Sequence, residues 1–208
     1  MPLAPPVSRR SLRHTRLLQV EAFARDDGLW DLDAHISDTK TRDVILGAAT
    51  RHAGSPIHDL KLRLTIDALF SITAVEAVSD AVPYPGYCDR TNQLYQPLIG
   101  LNLKLGFRQQ LLTRLAGTAG CTHLTELAQI LPTAAIQALS GEVERPHQSE
   151  HAEFETKPFQ LDRCHALRTD GEVVAQFYPR WVTTASVRPG LQREPDSLPQ
   201  AQADVHST

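Results

Sequence analysis

Ser55-Pro56-Ile57-His58-Asp59-Leu60-Lys61-Leu62-Arg63-Leu64-Thr65-Ile66-Asp67 decides the fold class. Leu60, Leu62, Leu64 and Ile66 alternate with Lys61, Arg63, Thr65 and Asp67. That period of two is what a strand needs to bury one face and wet the other. Working outward, Thr15–Phe23 is a strand candidate. After the turn signal Asp26-Asp27-Gly28, Trp30, Leu32, Ala34 and Ile36 alternate with Asp31, Asp33 and His35. Downstream, Ile72–Val82 reads as the hairpin partner of the central strand. The stretch from Arg16 to about Tyr84 predicts an antiparallel sheet of about four or five strands.

Beyond Leu98 the period lengthens. Leu98, Leu101, Leu105, Leu112 and Leu115 fall on a helical stripe that Gly117-Thr118-Ala119-Gly120 ends. A second helix starts near Cys121, with Leu124, Leu127, Ala128 and Leu131 at i, i+3, i+4 and i+7. Pro132 either interrupts it or opens a third short helix through Leu139. Phe159–Leu167 and Val173–Trp181 flank Thr169-Asp170-Gly171, whose Asp-Gly predicts a late β-hairpin. Strands first and two or three helices after make an α+β domain. It is expected over residues 15–182, with a polar loop at 142–157, a flexible arm at 1–14 and a disordered tail at 183–208. His147 and His151 in the polar loop read as solvated.

With 208 residues, 41% of them hydrophobic, the chain is long enough for a sizeable core. The net charge of −3 and the lack of a basic run argue against nucleic acid or an anionic membrane as partner. No apolar stretch approaches the roughly 20 residues that cross a bilayer, and no apolar segment follows the basic N-terminus as in a secretory signal. Three cysteines are too few for a disulfide framework, so reduced thiols and a cytoplasmic location are expected.

The chemistry-bearing residues gather in five short clusters at element ends and in loops: His35-x-x-Asp38, His58-Asp59, Cys88-Asp89, Cys121-x-His123-x-x-Glu126 and Cys164-His165. Cys121 follows a Gly-rich turn and opens a helix, where free N–H groups and the helix dipole favour the thiolate. His123 and Glu126 are three apart, so Glu126 is placed to orient the imidazole or to ligate. His58 and Asp59 are neighbours on a strand and point to opposite faces unless the turn continues through them. Cys88 leaves the sheet on a stiff loop, Pro83-Tyr84-Pro85-Gly86-Tyr87. Asp31, Asp33 and His35 read as a wet face with Asp38 just past its end, and Cys164-His165 is the weakest signal. No CxxC pair, HExxH, P-loop, GxGxxG or GxSxG is present.

The runs G-L-W-D-L-D-A-H-I-S-D-T-K, S-P-I-H-D-L-K-L-R-L-T-I-D, V-E-A-V-S-D-A-V-P-Y and G-C-T-H-L-T-E-L resemble an uncharacterised bacterial family, domain of unknown function 2889. That resemblance implies no activity. The order of the same segments also resembles the NifU/IscU-type iron–sulfur scaffold fold. It implies Asp59 at the scaffold's aspartate, Cys88 at its second cysteine and Cys121 near its third. The first cysteine is replaced by Ile57-His58, and the histidine follows Cys121 instead of preceding it, which disfavours an ordinary iron–sulfur cluster and suits a zinc or iron ion.

The expected function is therefore metal binding through His58, Asp59, Cys88, Cys121 and His123, with Glu126, His35 and Asp38 as supporting or alternative ligands. Two rivals stand beside it. One is a metal-free enzyme on a small organic substrate, with Cys121 as nucleophile or His123 as general base. The other is a non-catalytic scaffold or accessory protein that binds a partner protein.

Overall fold

The computed structural model describes residues 3–47, 49–140, 142 and 157–183. The expected polar loop and tail, with His147 and His151, fall almost wholly outside them. The chain divides into two compact units, Met1–Glu150 and His151–Thr208.

In the first unit, strands β1 (His14–Ala24), β2 (Trp30–Lys40), β5 (Pro56–Ile66) and β6 (Ile72–Ala81) form one antiparallel sheet in the order β1-β2-β5-β6. A small second sheet, β3 (Val44–Leu46) with β4 (Ala49–Arg51), bridges β2 and β5; the sequence reading missed it. The alternation in β5 does what its period requires. Leu60, Leu62, Leu64 and Ile66 are buried, while Lys61 and Arg63 are exposed. Register then stacks apolar rungs across three strands: Leu18–Ile36–Leu60, Val20–Ala34–Leu62 and Ala22–Leu32–Leu64. β1 is the exception in burial. It pairs with β2 along its whole length, yet only Val20 among its residues is even partly buried.

Helices cover the apolar side. A 3-10 helix, Asp89–Leu98, packs on β6; α1 (Phe107–Leu115) and α2 (Thr122–Leu139) follow, and α2 lies on β1, β2 and β5. The expected continuous stripe from Leu98 to Leu115 is broken in two. Gly100 and Gly106 both adopt positive φ, which ends the first helical segment and turns the chain before Phe107. Pro132 sits inside α2 without ending it, so no separate third helix forms there.

In the second unit the expected late hairpin is absent: Glu172–Phe177 is a helix, α3. Asp170-Gly171 serves as its entry and not as a hairpin turn, with Gly171 at the N-cap and Glu172 in the first turn. An isolated hairpin is marginal in water, and the short helix instead buries Val174. Asp162 accepts hydrogen bonds from the backbone N–H and hydroxyl of Thr169, which fixes the turn before α3.

Candidate metal centre

The site is the polar last rung of the sheet. Arg16 on β1 is the register partner of Asp38 on β2, and Asp38 is the partner of His58 on β5. All three have the parity of the apolar rungs beside them, so they face the helix side. The N-terminus of α2 lies above this rung, and the His123 ring meets the His58 ring with centroids 3.8 Å apart.

Asp38 is the hub and is only 3% exposed. Its Oδ1 accepts from His14 Nε2 at 2.7 Å and from Arg16 Nε at 2.9 Å. Its Oδ2 accepts from Arg16 Nη2 at 2.9 Å and from His58 Nδ1 at 3.1 Å, with His123 Nε2 at 3.6 Å. Burial works against its charge, but the Arg16 fork and the His14 bond outweigh burial and hold the carboxyl down to about 2. Burial also sets His58: desolvation lowers its pKa although Asp38 pulls the other way, which favours the neutral imidazole, the form with one ring nitrogen free to ligate.

Cys121 is the N-cap residue of α2, half-buried, with Sγ 4.0 Å from His123 Nδ1. Burial raises its thiol pKa, but the His123 contact and the N–H groups of Leu124 and His123 more than offset it, and the net shift is downward. The backbone here is clamped by Tyr95, whose hydroxyl accepts from the Cys121 N–H at 3.1 Å and donates to the Cys121 carbonyl at 2.8 Å. Glu126 accepts from Arg16 Nη1 at 2.7 Å, linking α2 to β1.

Among the described residues, one group of three or more potential ligands lies close enough to share an ion: Asp38, His58 and His123, with ligand atoms all within 4.8 Å of one another. Asp38, expected only as a supporting residue, is thus its centre. Cys121 stands beside the group, in contact with His123. Asp59 is not brought in. It points to the opposite face of the sheet and accepts from His35 Nε2 at 2.7 Å. His35 therefore leaves the site as well, with Asp31 and Asp33 on the same wet face, where Arg63 forks onto Asp33 and the Thr65 hydroxyl bonds Asp31. Cys88 precedes the 3-10 helix and sits beside Tyr84, Tyr87 and Thr91, apart from the histidines. Cys164 is exposed in the second unit.

His14 and Arg16 escaped the sequence reading. The signal was parity: Arg16 is two residues before Leu18 and four before Val20, so it shares their face.

Residues 14–137 match the family described as "Protein of unknown function (DUF2889)". The chain belongs to this family. The DUF2889 match runs from the start of β1 almost to the end of α2, and so takes in His14, Arg16, Asp38, His58, Cys121, His123 and Glu126. No curated protein and no solved structure matches the chain, so the likeness to iron–sulfur scaffolds gains no support there. No helix among the described residues is long and apolar enough to cross a membrane.

Proposed function

We propose that this DUF2889 protein binds one divalent transition-metal ion, zinc or iron(II), through Asp38, His58 and His123. The observation that carries the reading is the spacing of their ligand atoms. Asp38 Oδ2 lies 3.1 Å from His58 Nδ1 and 3.6 Å from His123 Nε2. Ligands about 2.0–2.1 Å from a tetrahedral ion stand about 3.3 Å apart, close to both of these distances, and the ligand atoms of all three residues lie within 4.8 Å of one another. Two histidines and one carboxylate leave coordination positions open, as in catalytic zinc sites and mononuclear iron(II) sites. An ion held there supplies Lewis acidity and a bound water of lowered pKa. On this reading His58 and His123, of the five expected ligands, hold the ion together with Asp38, and a single nearby thiol, Cys121, suits an ion better than an iron–sulfur cluster.

The test is metal analysis and cobalt(II) titration of protein purified without a histidine tag. The wild type is expected to bind about one ion per chain, and His58→Ala and His123→Ala to lose affinity by at least roughly 100-fold. Loading below about 0.2 ion per chain, unchanged by anaerobic zinc or iron(II), overturns the reading.

One observation favours a second reading. Cys121 Sγ, His123 and Asp38 stand in line, with a nitrogen of the imidazole toward each neighbour. That order suits a thiolate nucleophile oriented by a histidine and a carboxylate without any ion. Metal-free protein whose Cys121 alkylates far faster than Cys88 near neutral pH supports it; equal rates count against it.

A further inference from the structure

We propose that Arg16 is the positioning residue of this centre: it restricts Asp38 to a single-oxygen ligand and ties the strand and helix around the ion into one unit. The inference rests on the metal reading above and adds what sets the geometry of that ion.

An ionised carboxylate has about four acceptor positions, two on each oxygen. On Asp38 Oδ1 both are taken, by His14 Nε2 and Arg16 Nε. On Oδ2 one is taken by Arg16 Nη2. The remaining position accepts from His58 Nδ1 in the ion-free protein and has His123 Nε2 at 3.6 Å; an ion shared by the two rings would take the place of that proton. Asp38 therefore has one lone pair to offer. It cannot chelate through both oxygens, the mode that larger oxygen-seeking cations such as calcium favour, unless Arg16 lets go.

Arg16 acts a second time through its third nitrogen. Nη1 donates to Glu126 Oε2 at 2.7 Å, one turn along α2 from His123. The guanidinium thus fixes Asp38 on β2 with one edge and the helix that presents His123 with its remaining nitrogen. A planar fork does this and a lysine ammonium cannot, because its three donors are not held in a plane.

The experiment uses the full chain and cobalt(II) as the probe, read by affinity and by the visible ligand-field spectrum. Arg16→Met is expected to weaken cobalt binding about 10- to 100-fold, the usual cost of losing a residue that orients a ligand, and to alter the spectrum as the carboxylate turns. Arg16→Lys should keep the charge but show the altered spectrum. Glu126→Gln leaves the fork on Asp38, so it should keep the wild-type spectrum while binding a few-fold more weakly. Wild-type affinity and spectrum in Arg16→Met overturn the proposal. If that variant fails to fold by circular dichroism, Arg16→Lys with a wild-type spectrum overturns it instead. The two failures are distinguishable. Wild-type protein that binds no cobalt defeats the metal reading and this inference with it. Binding that needs His58 but ignores Arg16 defeats this inference alone.

Discussion

Asp38 makes the acid stability of the metal-free protein predictable at the level of single residues. Its folded-state pKa of about 2 lies below its ordinary value of 3.8. A depressed carboxyl contributes stability that is complete above the unfolded pKa and is lost as the pH falls through the folded one. At 1.36 kcal/mol per unit, this is about 2 kcal/mol, lost between about pH 4 and pH 2. His58 acts in an earlier window with the same direction. Its pKa is lowered by burial, so below about pH 6.5 the unfolded chain takes up a proton that the folded chain resists. Urea midpoints measured in EDTA should thus fall from pH 7 to 5 and again from 4 to 2.5. His58→Gln should flatten the first step only, and equal slopes in both proteins would refute the assignment. The same residues show how far the sequence could be read. His58 and His123 are legible because both lie at element ends close to a second reactive residue, Asp59 and Cys121. Asp38 reads as lying just past the end of the wet face made by Asp31, Asp33 and His35, with no face of its own. Yet it is two residues past Ile36, and that even spacing alone assigns it to the buried side. The period of two that marks a strand also assigns a face to the polar residues at its ends.

Among elements, α2 is positioned by a close approach that only glycine allows. A Cβ on Gly120 would lie 2.7 Å from the Leu115 carbonyl oxygen and 3.2 Å from the Tyr95 hydroxyl. That hydroxyl is the group that clamps both sides of Cys121 and reaches the Thr125 hydroxyl at 2.8 Å. Gly120→Ala is expected to cost about 1–3 kcal/mol, the usual range for overpacking, and to weaken cobalt binding by shifting His123. Denaturant unfolding and a cobalt titration check both halves. Undiminished stability would mean that α1 and α2 adjust freely. At this scale the sheet and α2 were legible because their periods are strong over ten or more residues. The Leu98–Leu115 segment was not, since a leucine stripe does not reveal that Gly100 and Gly106 turn the chain within it. α3 was misread for a related reason: Asp-Gly signals a turn of the backbone, and the same turn can enter a helix as readily as a hairpin.

Across the whole molecule, the site gathers residues more than a hundred positions apart, from Arg16 to Glu126, onto one end of one sheet. No local motif could have announced it. The two units also differ in what they carry, for every residue of the candidate centre lies in the first. Within that unit the strands are unequal. β5 sits between two neighbours and buries its apolar face, whereas β1 is held by β2 on one side and is exposed along nearly all its length. Segments with little burial and one-sided pairing are where local opening begins. If β1 lifts away, His14 and Arg16 go with it, and Asp38 loses three of its hydrogen bonds at once. Amide hydrogen exchange should accordingly be fastest in β1 and slowest in β5, and added zinc should slow it at Thr15–Leu18 more than at the far end of the strand. Uniform slowing along β1 would separate the strand from the ion. The binding constant of such a centre would then contain the closing equilibrium of an edge strand, so that substitutions far along β1, touching no ligand, would tune it.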